Sequence, residues 1–314
     1  MPEFLRTVGW SIDRTRRFAL MLTLFMAPDF TRVAVAATFQ GTFTEPTLCS
    51  PRGVALSPSG DVFVGSDCTS GHMAHFTATG TLIDTWVLSA GIISANPNGV
   101  AVDGSGVIFV TDTDHNRIRK YTSTGFLFSS FVTAFQPVDV ALNGANEVFV
   151  AALGGTQVQK FTNSGALLMS IGSAGSGPGQ FYAPQGIGLD ASGRIYVADY
   201  DGRISRFLAD GTFDMEFRTG VTPSDVAVGP DGNIYVVGYV VDYVSSVYQY
   251  SPNGTFQLKF DSPAGLDLAW RIAIGPTGAM YITEQYAHRV SRFQIFVATA
   301  ATRTTFGRLK AMYR

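Results

Sequence analysis

One motif, written six times, constrains this chain more than any other feature. A short apolar strand with a small middle residue reads Val54-Ala55-Leu56, Val100-Ala101-Val102, Val140-Ala141-Leu142, Ile187-Gly188-Leu189, Val226-Ala227-Val228 and Ile272-Ala273-Ile274. A second strand follows each, centred on Phe63, Phe109, Phe149, Tyr196, Tyr235 and Tyr281. A third closes on Phe76, Tyr121, Phe161, Phe207, Tyr250 and Phe293. Between the first two strands sits a glycine, or Asn146 in the third copy. Both residue types tolerate the positive φ that tight hairpin turns need.

A unit of this size cannot bury its own faces, and its strands are apolar on both sides. The stable solution is to stack units radially, so we read the chain as all-β, a six-bladed β-propeller. The small residue at the centre of each first strand suits an inner strand near the axis, where space tapers. A further glycine opens a fourth strand in five copies (Gly80, Gly125, Gly165, Gly211, Gly254), but no such strand follows Phe293. Thr38 to Phe43 resembles the missing one. The expectation is a ring closed by this N-terminal strand, which removes open sheet edges, with the propeller spanning residues 37–296. The residue that precedes each first strand is Pro51, Pro97, Pro137, Pro184, Pro223 or Ala269, and the spacing alternates long and short. The extra length falls near 87–96, 170–183 and 238–246, on connections that should share one face.

The ends read differently. Arg14, Arg16 and Arg17 precede the apolar run Phe18 to Ala27, and Ala34-Val35-Ala36 offers a cleavage site. Residues 1–36 are therefore expected to be a cleaved export signal, its apolar run too short to span a membrane. The mature chain should be periplasmic, cell-surface or extracellular, without a transmembrane span. The chain has two cysteines, Cys49 and Cys68, which flank the first hairpin. With Pro58-Ser59 as central turn residues, Ser57 would face Gly60 and Cys49 would face Cys68, so an exported protein should join them in a disulfide. Residues 297–314 form a basic amphipathic tail with Phe306, Leu309 and Met312 or Tyr313 at helical spacing. Residues 1–36 carry five basic and three acidic residues, and 297–314 four basic and none acidic. The propeller is left with 13 basic and 21 acidic, a net charge of −8. Nucleic-acid binding needs a basic footprint, so that class is excluded.

Proline, a variable residue, glycine or aspartate, the inner strand, the aromatic second strand, an acid and an arginine together resemble the NHL repeat. The second copy carries the pattern most fully, from Pro97 through Asp112 and His115-Asn116-Arg117-Ile118 to Tyr121. The fourth keeps Asp199 and Arg203, the sixth Glu284 and Arg289, and Gly177-Pro178-Gly179-Gln180-Phe181 is a further habit of such repeats. The odd copies carry His72, Gln157 and Ser246 in place of the arginine. The resemblance implies a six-bladed NHL propeller. Its relatives range from RNA-binding and sensor domains to a zinc lyase, lactonases and a streptogramin lyase, so it does not choose a function.

The candidate chemistry is sparse. His72, His115 and His288 lie between second and third strands of neighbouring copies, but at non-equivalent positions, which argues against a three-histidine zinc site. Asp112, Asp199 and Glu284 could hold calcium, yet their expected role is to tie a loop to backbone N–H groups or to the neighbouring arginine. No cofactor or metal is assigned. The variable residue after the proline, with its successor, gives Arg52, Asn98, Asp139, Gln185, Asp225, Trp270 and Arg271. These should form a polar ring at the mouth of the central channel. No nucleophile with its base, nucleophile elbow or phosphate loop can be assembled. The reading is an exported, monomeric binding or scaffolding module for a protein partner or a small polar ligand at that mouth. The alternative is a metal-dependent lyase or lactone hydrolase working there.

Overall fold

The computed structural model describes residues 37–46, 48–67, 71–88, 95–240 and 244–295. The proposed export signal, the basic tail and Cys68 lie outside them. The described residues are almost entirely strand and turn, with one single-turn 3₁₀ segment at Thr113–His115.

Six antiparallel four-stranded sheets form the blades. Their inner strands are Pro51–Leu56, Val100–Val102, Gln136–Leu142, Pro184–Leu189, Thr222–Val228 and Ala269–Ile274. Each inner strand pairs with its second strand, the second with the third, and the third with an outer fourth strand. Blade 5 gains a short extra pairing between Leu266–Asp267 and the start of its third strand.

The hydrophobic core divides into six clusters, and each joins two adjacent blades. Phe149, Ala151 and Val158 of blade 3, for example, pack with Ile187, Val197 and Phe207 of blade 4. Phe43, Val64 and Phe76 pack with Tyr281 and Val290, joining blade 1 to blade 6. Because each cluster is shared, no blade holds its core without its neighbours, as the two-sided apolar pattern requires.

The outer strand of blade 6 is Ala37–Phe43, paired antiparallel with Arg289–Ile295. It packs on blade 1 as every other outer strand packs on the next blade. A Cβ at Gly125 would lie 2.5 Å from the Trp86 ring of blade 1, and one at Gly254 2.6 Å from the Phe217 ring of blade 4. Likewise a Cβ at Gly80 would lie 2.5 Å from the Phe43 ring. The glycine that opens each of these outer strands is thus the socket for the preceding blade's outer aromatic.

The first hairpin corrects one detail of the sequence reading. Ser57 pairs with Asp61 rather than Gly60: the Ser57 N–H donates to the Asp61 carbonyl at 2.9 Å, and Gly60 takes φ +91°. The turn is one residue longer than expected because glycine in the left-handed region completes a three-residue loop. Val54 therefore faces Val64, a bulge follows, and Pro51 faces Ser66. The bulge restores the register that the shorter turn would have given, and the Asp67 N–H donates to the Ser50 carbonyl.

Candidate functional site

The inner strands of blades 1, 3, 4, 5 and 6 all break register just after their first or second residue, between Pro51/Val54, Pro137/Asp139, Pro184/Gly186, Pro223/Asp225 and Ala269/Ile272. A bulge sets extra residues against the partner strand and re-aims their side chains. These residues include most of the polar ring singled out from sequence.

The structure draws much of that ring inward. Arg271, only 2% exposed, spans the axis. Its Nε donates to the Asn98 carbonyl of blade 2 at 3.1 Å, Nη2 to Val138 of blade 3 at 2.6 Å, and Nη1 to Ser224 of blade 5 at 2.9 Å. Nε also lies 3.4 Å from Asp139 Oδ1. One guanidinium from blade 6 thus ties three other blades together. Its planar fork suits several fixed acceptors at once.

Asp139 and Asp225 are buried beside it. Asp139 Oδ1 accepts from its neighbour Val140 N–H, and Oδ2 from Ile187 N–H of blade 4, each at 2.9 Å. Asp225 repeats this one blade pair later, accepting from Val226 at 2.8 Å and from Ile272 of blade 6 at 2.9 Å. Burial pushes the Asp225 carboxyl well up, Asp139 adds to the rise, and Arg271 opposes it. Burial likewise raises Asp139 against the pull of Arg271. These aspartates explain the glycines at the equivalent places of blades 2 and 4. A Cβ at Gly99 would lie 2.6 Å from Asp139 Cα, and one at Gly186 2.3 Å from Asp225 Oδ1.

Arg52, Asn98 and Trp270 form the upper layer. Arg52 Nη1 donates to Asn98 Oδ1 at 2.5 Å, and Nη2 pairs with Asp67 Oδ2 at 2.8 Å. Burial lowers Arg52, with Asp67 opposing and Arg271 reinforcing. Asn98 Nδ2 donates to Thr113 Oγ1 at 2.9 Å. Both Arg52 and Arg271 lie over the Trp270 ring, at 6.0 and 5.5 Å from its centroid. Gln185 is half-buried and donates weakly to the Ala183 carbonyl at 3.4 Å. The expected ring of mouth-lining groups is therefore two layers, and the lower one is sealed among backbone atoms.

The three even-blade acids are fully buried and far apart along the ring. Asp199 accepts from the Tyr182 and Ala183 N–H groups at 2.8 and 2.6 Å and faces Arg203. Glu284 accepts from Asp267 N–H, Arg289 and Ser291 Oγ. Asp112 Oδ1 pairs with His115, and its Oδ2 takes both Nε and Nη2 of Arg119, at 2.7 and 2.6 Å. Arg117, the arginine expected from sequence, stands 3.9 Å away. Among the described residues no group of three or more His, Cys, Asp or Glu is placed to hold a metal ion. His75 stacks on Phe63, and His288 Nδ1 accepts from Ser50 N–H.

At the junction of blades 4 and 5 lies a cleft of about 820 Å³ lined by Tyr182, Tyr200, Arg218, Val221, Tyr239 and Val240 among others. It opens on the face where the inner strands begin. The sequence reading missed its residues, because they fall between the repeated positions. The one signal was that tyrosines stand in or beside these connections, at 182, 200 and 239.

Comparison with known proteins fits this geometry. Residues 95–121 match the family model for the NHL repeat. The matched stretch covers the first three strands of the second blade. Its staple is the Asp112 network, and the NHL-like acids of blades 4 and 6 repeat it with their own arginines. No curated protein matches the chain. Among solved structures, a streptogramin B lyase is similar at TM-score 0.62 and 14% identity, over 82% of this chain and 98% of that one. A catalytically inactive virginiamycin B lyase from Staphylococcus aureus with quinupristin reaches 0.60 at 15%, over 85% and 90%. A gluconolactonase from Xanthomonas campestris reaches 0.62 at 15%, over 84% and 99%. At such identities the likeness is one of fold.

Proposed function

We propose that this NHL propeller is a binding module that engages a protein partner or small polar ligand on the face where its inner strands begin. The observation that carries this reading is the commitment of the axial groups. Arg271, Asp139 and Asp225 spend their donors and acceptors on backbone atoms of several blades, so they hold the ring together rather than wait for a substrate. Half-exposed groups above them, including Arg52, Gln185 and Trp270, remain for recognition. We also propose that residues 1–36 direct export and that Cys49 and Cys68 form a disulfide. The register at Ser50 and Asp67 supports that bond, since it continues toward those two positions.

A second reading, a lyase or lactone hydrolase, is favoured by the similar structures, among them a streptogramin B lyase and a gluconolactonase. Purified protein incubated with glucono-δ-lactone and with a type B streptogramin, with and without magnesium, calcium and zinc, separates the two. A binding module leaves both at their uncatalysed rates. Saturable turnover in either assay replaces the first reading with the second.

A further inference from the structure

The cleft between blades 4 and 5 is built from the same staples that shape the blades. Asp199 fixes the Tyr182 backbone by accepting its N–H, and the Tyr200 N–H donates to the Ala183 carbonyl at 3.0 Å. Arg203, buried at the blade edge, donates to the Ser176, Gly177 and Gln180 carbonyls. It thereby holds the connection that leads into Tyr182. The main chain beneath both tyrosines is thus set before any partner arrives.

Their side chains nonetheless stay in solvent. Tyr182 is 67% exposed and Tyr200 48%, with ring centroids 6.5 Å apart and planes tilted by 33°. Val240 beside them is 47% exposed. At the rim, Arg218 Nη1 donates to the Asp201 carbonyl at 3.1 Å, which fixes its head, yet no carboxylate pairs with it among the described residues. Asp201 itself is taken by Arg203 at 2.8 Å.

Tyrosine and arginine on a fixed backbone are the residues that dominate binding energy in protein interfaces, since they give large contact area with few rotors to immobilise. The aromatic rings and valines make most of the lining apolar, with Arg218 at the rim. It has an apolar floor and one unpaired cation, which suits an apolar side chain next to an acid. We propose that this cleft binds an extended peptide of a partner protein. An aromatic or proline side chain sits against Tyr182 and Tyr200, and a neighbouring carboxylate pairs with Arg218. The proposal rests on the binding-module reading and places its contact off the axis.

Panning a library of random dodecapeptides on the full chain tests it. Enriched sequences should carry Asp or Glu within three residues of an aromatic residue or proline. The best of them, made as a free peptide, should bind at least about tenfold more weakly to Tyr200→Ala and to Arg218→Ala. Arg218→Lys should recover part of the loss, and all three variants should melt with the parent because these side chains are exposed. The proposal is overturned by enrichment without acids, by binding indifferent to these substitutions, or by no enrichment. Binding of an oligoglucuronide in place of peptides overturns it too. These outcomes leave the binding-module reading to its own turnover assay, so the two fail separately.

Discussion

Replacing Arg271 with alanine should destabilise the whole propeller, and the structure sets the scale. The substitution removes a guanidinium that is 2% exposed. It orphans the carbonyls of Asn98, Val138 and Ser224 and leaves the buried Asp139 and Asp225 carboxyls without their cation. Breaking a buried ion pair by removing one partner costs about 3–5 kcal/mol. Each orphaned carbonyl would add about 1 kcal/mol or more, less whatever water recovers by entering the space vacated. A loss of about 3–5 kcal/mol should lower the midpoint of a domain this size by roughly 6–20 °C. Equilibrium urea denaturation measures the free energy, and a thermal melt gives the shift. Arg271→Lys should recover only part, because an ammonium cannot reach three carbonyls on different blades. A loss below about 1 kcal/mol for the alanine variant would refute the claim that this side chain ties the blades together.

Three further outcomes follow from the same packing. The folded-state pKa of Asp225 lies above its unfolded value, so the folded protein holds the proton more tightly. The contribution of this group is greatest at or below about pH 4, its unfolded value, and falls as pH rises from there through the raised folded value. Denaturation from pH 4 to 8 should show that slope, and Asp225→Asn should flatten it. Phe43→Ala empties the socket between blades 6 and 1, where Phe43 meets Phe76 and Tyr281 at 5.5 and 5.7 Å. It should cost about 3–5 kcal/mol by denaturant titration. Gly186→Ala forces a methyl against Asp225 and should cost about 1–3 kcal/mol, whereas Gly104→Ala, with open space around it, should not clash.

What the sequence could reveal depended on repetition. Six copies of a strand pattern fix blade number and inner-strand position, and a glycine in five copies marks where an outer strand opens, because the same packing imposes each. The outer strand at Ala37–Phe43 was legible for the same reason. Arg271 was not. Its position could be placed near the mouth, but whether a guanidinium there faces solvent or reaches across the axis depends on carbonyls supplied by three other blades. Arg119 was missed in favour of Arg117 because the repeat consensus marks the position paired with the acid, while side-chain reach decides the bond. The connections 170–183 and 238–246, which carry Tyr182 and Tyr239, were legible as extra length on one face, but the cleft itself was not, since its side chains stand where the copies differ.

Hydrogen exchange of the full chain, with and without the best peptide from the library selection, tests the central claim most directly. The account predicts new protection at 182–183, 200–202, 218–222 and 239–240, and no change at the axial amides of Val140, Ile187, Val226 and Ile272. Protection concentrated at those axial amides, with the cleft unaffected, would mean that the ligand displaces Arg271 and enters the channel, and would contradict it.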